Sequence, residues 1–234
     1  RPGITFQGVN MDFAIQVKDL TKVYRENSTE VVAVNGVDFS IQRGEVVGIM
    51  GPSGSGKTTL LSMLGCILKP TAGSIKIYGE EVTNLSDKEL PFVRRKYFGF
   101  IFQGFNLFQP LSAFENVRLP LEIKGMSKKE AGALSINLLE KVNLKERAYF
   151  LPRNLSGGEK QRVAIARALA GNPLIILADE PTGNLDHKSG ELVVKTLREL
   201  VMINNASAVI VTHDSRIFHS LDRVFYMEDG KIRA

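Results

Sequence analysis

Hydrophobic residues recur along this chain with two periods, and together they predict strands alternating with helices. Apolar and polar residues alternate over residues 13–17 and 37–41, as they do in strands with one buried face, and the polar residues 25–29 between them predict a loop. Further short apolar runs predict strands at residues 45–50, 74–78, 97–102, 174–178, 208–212 and 224–227. Helical periodicity behind capping residues predicts helices at residues 57–68, 86–96, 112–124, 127–142, 156–170 and 187–201. This alternation indicates a mainly parallel sheet in a three-layer α/β core.

A single domain is predicted over residues 11–234. Between about residues 104 and 160 the strand pattern gives way to helical patterns, which predicts an inserted helical subdomain. Its entrance is rich in apolar residues, namely Phe105, Leu107, Phe108, Leu111 and Phe114. These residues fit a small helical core and an apolar groove for another protein equally well. Residues 1–10 carry no pattern, and we interpret them as a possible non-native leader ahead of Met11.

Composition excludes only a few classes of protein. The 234 residues are 44% hydrophobic and 24% charged, which is ordinary for a globular chain that can bury a full core. No run approaches the ~18 apolar residues of a membrane-spanning helix, so any membrane role is predicted to be peripheral. The net charge of +5 comes from scattered basic residues, and a solvated surface facing anionic lipid explains it as well as a specific partner does. The single cysteine, Cys66, excludes an internal disulfide and fits a reducing cytoplasm.

The strongest functional signal is a glycine-rich loop between the strand at residues 45–50 and an apolar helix. The loop has the spacing G-x-x-x-x-G-K-T, and its residues are Gly51, Pro52, Ser53, Gly54, Ser55, Gly56, Lys57, Thr58 and Thr59. Glycines let the N–H groups of such a loop point inward at an anion. Lys57 is placed for the β- and γ-phosphates, and the Thr58 hydroxyl is placed to ligate Mg²⁺. The loop therefore predicts binding of a nucleoside triphosphate, with a purely structural loop as the weaker alternative.

Polar residues at the ends of three other predicted strands are expected to meet at the same edge of the sheet. Asp179 ends a buried strand, where a carboxylate is favoured if it faces a cation, and Glu180 follows as a candidate base for a water molecule. The alternative is a pair of helix-capping carboxylates. His213 follows a second buried strand, and Gln103 ends a third, from which its amide oxygen can reach Mg²⁺ or the water. With Lys57, these residues predict a catalytic crevice.

A second anion-binding surface is predicted at residues 155–161. The helix there is opened by Ser156, Gly157, Gly158 and Glu159. Its first N–H groups and its dipole favour an anion, yet the chain carries one phosphate loop. A twofold homodimer, in which each chain closes over the nucleotide of the other, accounts for both surfaces.

Taken in order, these motifs resemble the nucleotide-binding subunit of an ABC transporter. They are Gly51–Thr59, Gln103, Leu155–Gln161, Leu177–Glu180, Gly183–Asp186 and His213, and the resemblance spans about residues 12–232. It implies a P-loop NTPase core with an antiparallel β subdomain and the helical insertion. It also implies that the chain is an ATPase with ATP and Mg²⁺ as cofactors, and that Thr58, Gln103 and Asp179 lie at the metal.

The same resemblance implies a role for each motif residue. Tyr24, otherwise an ordinary strand aromatic, would stack on adenine, and Gln103 would link the metal site to a permease. Glu180 would be the general base, and His213 would hold the γ-phosphate and order the water. The residues that would act between the chains of an ATP-dependent homodimer are Ser156, Gly157, Gly158 and Asp186.

The implied partner is an integral membrane permease, with the chain bound peripherally at the cytoplasmic face of the inner membrane and with no nucleic acid. Residues 102–107, 115–121 and 179–186 resemble the bacterial subgroup of macrolide exporters, lipoprotein-releasing complexes and the cell-division ATPase. Soluble ABC-type ATPases of DNA repair carry a long coiled coil, and those acting on ribosomes carry two tandem units; this sequence has neither pattern. A regulatory or scaffolding ATPase of the cell-division type stays open as the alternative.

Overall fold

Two sheets and six α-helices make up the fold in the computed structural model, which describes residues 13–26 and 29–233. In chain order the strands are β1 (Phe13–Glu26), β2 (Thr29–Gln42), β3 (Val46–Met50), β4 (Ala72–Ile77), β5 (Glu80–Glu81), β6 (Phe98–Ile101), β7 (Ile175–Asp179), β8 (Ser207–Thr212), β9 (Arg223–Glu228) and β10 (Lys231–Arg233). The helices are α1 (Lys57–Leu64), α2 (Leu90–Tyr97), α3 (Ala113–Ile123), α4 (Lys128–Lys141), α5 (Gly157–Leu169) and α6 (His187–Ile203). The predicted leader at residues 1–10 and Met11 lie outside the described residues.

The six-stranded sheet is mainly parallel, as the strand–helix alternation predicts. Its order is β10-β9-β3-β8-β7-β6, and the edge pair β9–β10 is antiparallel. β3 and β8 are buried along their whole length, which explains why both read as continuous apolar runs. The register pairs Met50 with Thr212 and Asp179 with Val211. The carboxyl ends of β3, β7 and β8 therefore lie side by side at one edge of the sheet.

A second, antiparallel sheet has the order β2-β1-β4-β5. The predicted loop at residues 25–29 is wrong for its described part, because β1 continues to Glu26 and β2 begins at Thr29; residues 27–28 lie outside the described residues. The hairpin is held by its backbone ladder, which pairs Tyr24 with Val31 and Arg25 with Glu30. This part of β2 is exposed and shows no alternation of buried and exposed residues, so its sequence carries no strand period.

Two helices differ in length from their predictions. α1 ends at Leu64 instead of residue 68, because Gly65 is its C-cap and Cys66 after it adopts a left-handed backbone with φ +55°. The capping-box pattern at Ser86 forms its hydrogen bonds to the Glu89 carboxylate, but these residues make a turn and α2 begins only at Leu90. The sequence patterns therefore predicted α1 too long at its C-terminal end and α2 too long at its N-terminal end.

In the part of the chain with helical patterns, which we call the helical region, α3 and α4 pack against each other and against α5. Complete capping boxes open all three helices, at Ser112, Ser127 and Ser156. Residues of the apolar entrance differ in burial: Leu107 is buried in the core, whereas Phe108 is 53% exposed. Within the described residues, no helix is long and apolar enough to cross a membrane.

Candidate nucleotide-binding site

The glycine-rich loop leaves β3 and turns into α1 through backbone conformations that require glycine. Gly51 has φ +151°, and a Cβ there would lie 1.9 Å from the carbonyl oxygen of Met227. Gly56 has φ +100°, and a Cβ there would lie 2.1 Å from the carbonyl oxygen of Ala33. The loop is therefore wedged between β2 and β9, which fixes the direction of its N–H groups.

Lys57, the first residue of α1, folds its ammonium group back into the loop. Its Nζ donates hydrogen bonds to the carbonyl oxygens of Gly51 at 2.8 Å and Pro52 at 2.7 Å. Burial lowers the pKa of Lys57, while the carboxylates of Glu180 and Asp179 partly oppose that shift. An ammonium held by neutral carbonyls can exchange them for phosphate oxygens, which form stronger, charge-assisted bonds.

A cleft of about 520 Å³ opens beside this loop at the carboxyl edge of the main sheet. Its lining consists of Ala33, Ser53, Gly54, Gly56, Lys57, Thr58, Thr59, Gln103, Glu180 and His213. The predicted convergence of the strand ends on one crevice is therefore found in the structure. Ala33 was not expected here, because it reaches the cleft through the passage of β2 beside Gly56 and carries no chemical signal in the sequence.

Asp179 ends β7 directly beside the start of α1. Its Oδ1 accepts a hydrogen bond from the Thr58 hydroxyl at 3.2 Å. Burial raises the pKa of Asp179, which means that its carboxylate would be stabilised by a cation. A hydroxyl and a half-desolvated carboxylate side by side, next to a phosphate loop, are a donor set that suits Mg²⁺. The residues present therefore fit the predicted metal.

Glu180 turns sharply out of the sheet, with φ +46°. Its Oε2 accepts a hydrogen bond from the Thr212 hydroxyl at 3.0 Å, and its Oε1 lies 2.8 Å from Nδ1 of His213. Sequence reasoning named the glutamate and the histidine but missed Thr212. The signal available was a hydroxyl at the end of a buried strand, one residue before His213.

Gln103 follows β6, the neighbour of β7, and lines the cleft as well. Its backbone oxygen accepts a hydrogen bond from the Asn184 side chain at 2.8 Å. Two residues further on, Phe105 and Asn106 both have positive φ, and their carbonyl oxygens accept hydrogen bonds from Arg167 on α5. Residues 103–106, which we call the Gln103 segment, are thus tied to the turn after β7 and to α5.

Several predicted residues lie outside the lining of this cleft. Tyr24 stands on β1 with 43% of its surface exposed, and its ring carries the Lys22 ammonium 5.3 Å from the centroid. The start of α5 lies outside the lining too: Ser156 and Glu159 form a reciprocal capping box. Asp186 caps α6 by accepting a hydrogen bond from Ser189 N–H at 3.1 Å. The chain alone therefore does not bring its second anion-binding surface to its own phosphate loop.

A phosphate loop, a strand-end carboxylate pair and a histidine on one cleft define a P-loop nucleoside triphosphatase. The family model described as ABC transporter matches residues 34–183, which is more than half of the chain. The chain belongs to the ABC transporter family, and the fold class and the ATP-binding-cassette ATPase expected from the motifs are confirmed.

Individual relatives agree with this assignment. The chain is 46% identical over 221 residues to the lipoprotein-releasing system ATP-binding protein LolD of Pseudoalteromonas translucida, which covers 94% of this chain and 95% of the relative. It is 44% identical over 218 residues to the macrolide export ATP-binding/permease protein MacB of Hyphomonas neptunium, covering 93% of this chain and 34% of that protein. A solved dimeric structure of the cassette MJ0796 bound to ADP and Pi superposes with a TM-score of 0.87 at 43% identity, covering 94% of this chain and 97% of that chain. Relatives of the predicted subgroup are thus among the matches.

Proposed function

We propose that two copies of the chain bind ATP and Mg²⁺ between them and hydrolyse ATP to drive an integral membrane permease at the cytoplasmic face of the membrane. The observation that carries the proposal is the division of the site. The cleft holds the phosphate loop, Glu180 and His213, whereas the N-terminus of α5 lies outside its lining. A second copy supplies the missing half by a twofold arrangement, and the cassette MJ0796 with ADP and Pi is dimeric.

Within one chain, the loop and Lys57 bind the phosphates. The inward N–H groups and the helix α1 favour the anion, and Lys57 moves from its bonds with Gly51 and Pro52 to the β- and γ-phosphates. Thr58, Asp179 and Gln103 would hold Mg²⁺, and the bound metal would neutralise phosphate charge. Tyr24, exposed on β1, provides a flat surface for adenine.

Hydrolysis needs a base beside the γ-phosphate, and we assign that role to Glu180, which lines the cleft together with Lys57. It accepts a proton from the attacking water, whose oxygen then bonds to the γ-phosphorus as the bond to ADP breaks. His213, now 2.8 Å from Glu180, orients the water and the γ-phosphate. Ser156 and the N–H groups of Gly157 and Gly158 from the other chain complete the phosphate contacts.

The permease contact is assigned to a groove on the side of the helical region. Its apolar lining includes Phe98, Phe100, Phe102, Phe108 and Ile123, and its basic lining is Arg94, Arg95, Lys124 and Arg167. The groove lies beside the Gln103 segment, so a partner bound there can sense the state of the cleft. The relative MacB carries an ATP-binding part and a permease in one chain, which supports a permease as the partner.

The test combines Glu180→Gln with Gly157→Asp. Glu180→Gln should bind ATP normally, lose hydrolysis and accumulate as a dimer in light scattering. Gly157→Asp in that background should stay monomeric with unchanged ATP affinity, since the new carboxylate repels a phosphate at the start of α5. Gly132→Asp, on α4 in the helical region, is the matched control and should still dimerise. Hydrolysis by Glu180→Gln at the parent rate, or loss of ATP binding by Gly157→Asp, would contradict the assignment.

A further inference from the structure

The Glu180 carboxylate is held by two residues that differ greatly in exposure. Thr212 donates its hydroxyl to Oε2 and is completely buried in β8. His213 contacts Oε1, and 67% of its side-chain surface is exposed. One oxygen of the base is therefore held by a rigid group, while the other is held by a group at the surface of the cleft that has room to turn.

The hydrogen of the Thr212 hydroxyl has a defined direction. The backbone N–H of Asp214 donates to Thr212 Oγ1 at 3.0 Å, and this bond occupies one lone pair of the hydroxyl oxygen. The hydroxyl then donates to Glu180 Oε2 at 3.0 Å. Because a carboxylate can only accept, the bond to the ionised glutamate is charge-assisted and runs from Thr212 to Glu180.

Further hydrogen bonds close a ring around this contact. The Asp214 carboxylate accepts from the Thr182 hydroxyl at 2.9 Å, and Thr182 stands two residues after Glu180. The backbone N–H of Glu180 donates to the carbonyl oxygen of Val211 at 2.8 Å. Main chain and side chain of the glutamate are thus both anchored to β8, and the anchor does not involve His213.

We propose that Thr212 is a positioning residue that anchors Oε2 of Glu180, so that Oε1 is the oxygen that receives the proton when His213 turns toward the γ-phosphate. The proposal rests on the proposed function of Glu180 as the base. In the step, one O–H bond of water breaks and its proton passes to Oε1. The water oxygen bonds to the γ-phosphorus, and the bond from that phosphorus to the ADP oxygen breaks. Without the Thr212 hydroxyl, the Glu180 carboxylate has no fixed partner once His213 has turned toward the γ-phosphate, and it can rotate away from the water.

Thr212→Val tests the proposal, because valine keeps the shape of threonine and removes the hydroxyl. Steady-state ATP hydrolysis by the 234-residue chain should show kcat reduced about 10- to 100-fold, as expected for a catalytic group displaced by up to ~1 Å. The KM for ATP and the binding of ATP should change less than about twofold, since the phosphate contacts are untouched. Thr212→Ser restores the hydroxyl and should recover kcat to within about threefold of the parent.

A matched control separates catalysis from stability. Ser135 is a fully buried serine on α4 that donates its hydroxyl to the carbonyl oxygen of Ala131 at 2.6 Å. Ser135→Ala also removes a buried hydroxyl, and it should lower the unfolding temperature with kcat unchanged. If Thr212→Val merely destabilises the fold, it will behave like Ser135→Ala, and the proposal is then wrong.

The Glu180→Gln background shows whether Thr212 acts through Glu180. Single-turnover hydrolysis by Glu180→Gln should be slow, and adding Thr212→Val should slow it no further. A full kcat in Thr212→Val, a Thr212→Ser variant as slow as valine, or an additional loss in the double variant would each overturn the positioning role. Parent-like hydrolysis by Glu180→Gln instead overturns the proposed base itself, so the two failures are distinguishable.

Discussion

Substituting Gly56 is the sharpest way to test whether the phosphate loop works by its wedged backbone. The Cβ of Gly56→Ala would lie 2.1 Å from the carbonyl oxygen of Ala33. A carbon and a carbonyl oxygen approach to roughly 3.3 Å, so the loop or β2 must move by about 1 Å. The left-handed backbone at φ +100° costs an alanine roughly 1–2 kcal/mol in addition.

The magnitude follows from the bonds that this shift disturbs. A hydrogen bond to a charged group is worth about 1.5–3 kcal/mol, and displacement of the loop impairs at least two of its N–H donors. Each 1.4 kcal/mol is a factor of ten, so ATP affinity should fall at least about 100-fold in Gly56→Ala. Isothermal titration calorimetry with Mg²⁺ and ATP measures this directly.

Alanine substitutions at two other glycines distinguish the effect of backbone strain from that of the steric clash at Gly56. Gly54 lies in the same loop with φ +81° and Gly44 lies in a turn outside the cleft with φ +76°, and a Cβ on either meets nothing within 4 Å. Gly54→Ala should lose at most about 5- to 30-fold in ATP affinity, from strain alone. Gly44→Ala should lose stability but no affinity. The reasoning is refuted if Gly56→Ala binds ATP within threefold of the parent, or if Gly54→Ala is impaired equally.

Two further predictions concern buried titratable groups. Lys57→Met should weaken ATP binding about 10- to 100-fold, because charge-assisted bonds worth roughly 1.5–3 kcal/mol are lost. Since burial disfavours the ammonium, the nucleotide-free variant should unfold at a temperature equal to or higher than that of the parent. A lower unfolding temperature would contradict this reasoning. Burial raises the pKa of the Cys66 thiol from 9.0 to about 11. The folded chain then keeps a proton that the unfolded chain loses, so the free energy of unfolding should fall as pH rises from 9 towards 11. Urea unfolding of the parent and of Cys66→Ala should show a steeper alkaline loss in the parent, and equal slopes against pH would contradict it.

Local chemistry made the core of the site predictable from the sequence. The phosphate loop is a continuous segment, and Asp179, Glu180 and His213 follow buried runs whose ends must share one edge of a parallel sheet. The capping boxes at Ser127 and Ser156 depend on residues only three positions apart, and both open their helices as predicted.

What sequence reasoning missed depends on contacts between distant segments. Ala33 lines the cleft because β2 passes beside Gly56, and no periodicity encodes that approach. Thr212 has the composition of an ordinary strand end, and its contact with Glu180 depends on the register of β7 against β8. Gly65, at the end of α1, is a further example: a Cβ there would lie 2.6 Å from the Phe100 ring of another strand, and no helical periodicity encodes that contact.

The complete burial of β3 and β8 has a consequence for how the protein moves. These neighbouring strands carry the phosphate loop and His213 at their ends, and all of their residues are buried. Amide hydrogens in such strands exchange with solvent only in the rarest, global openings of a protein. The floor of the cleft therefore keeps its shape through every turnover. Whatever changes between the nucleotide states has to occur in the segments attached to this floor, at their side chains and their hinges.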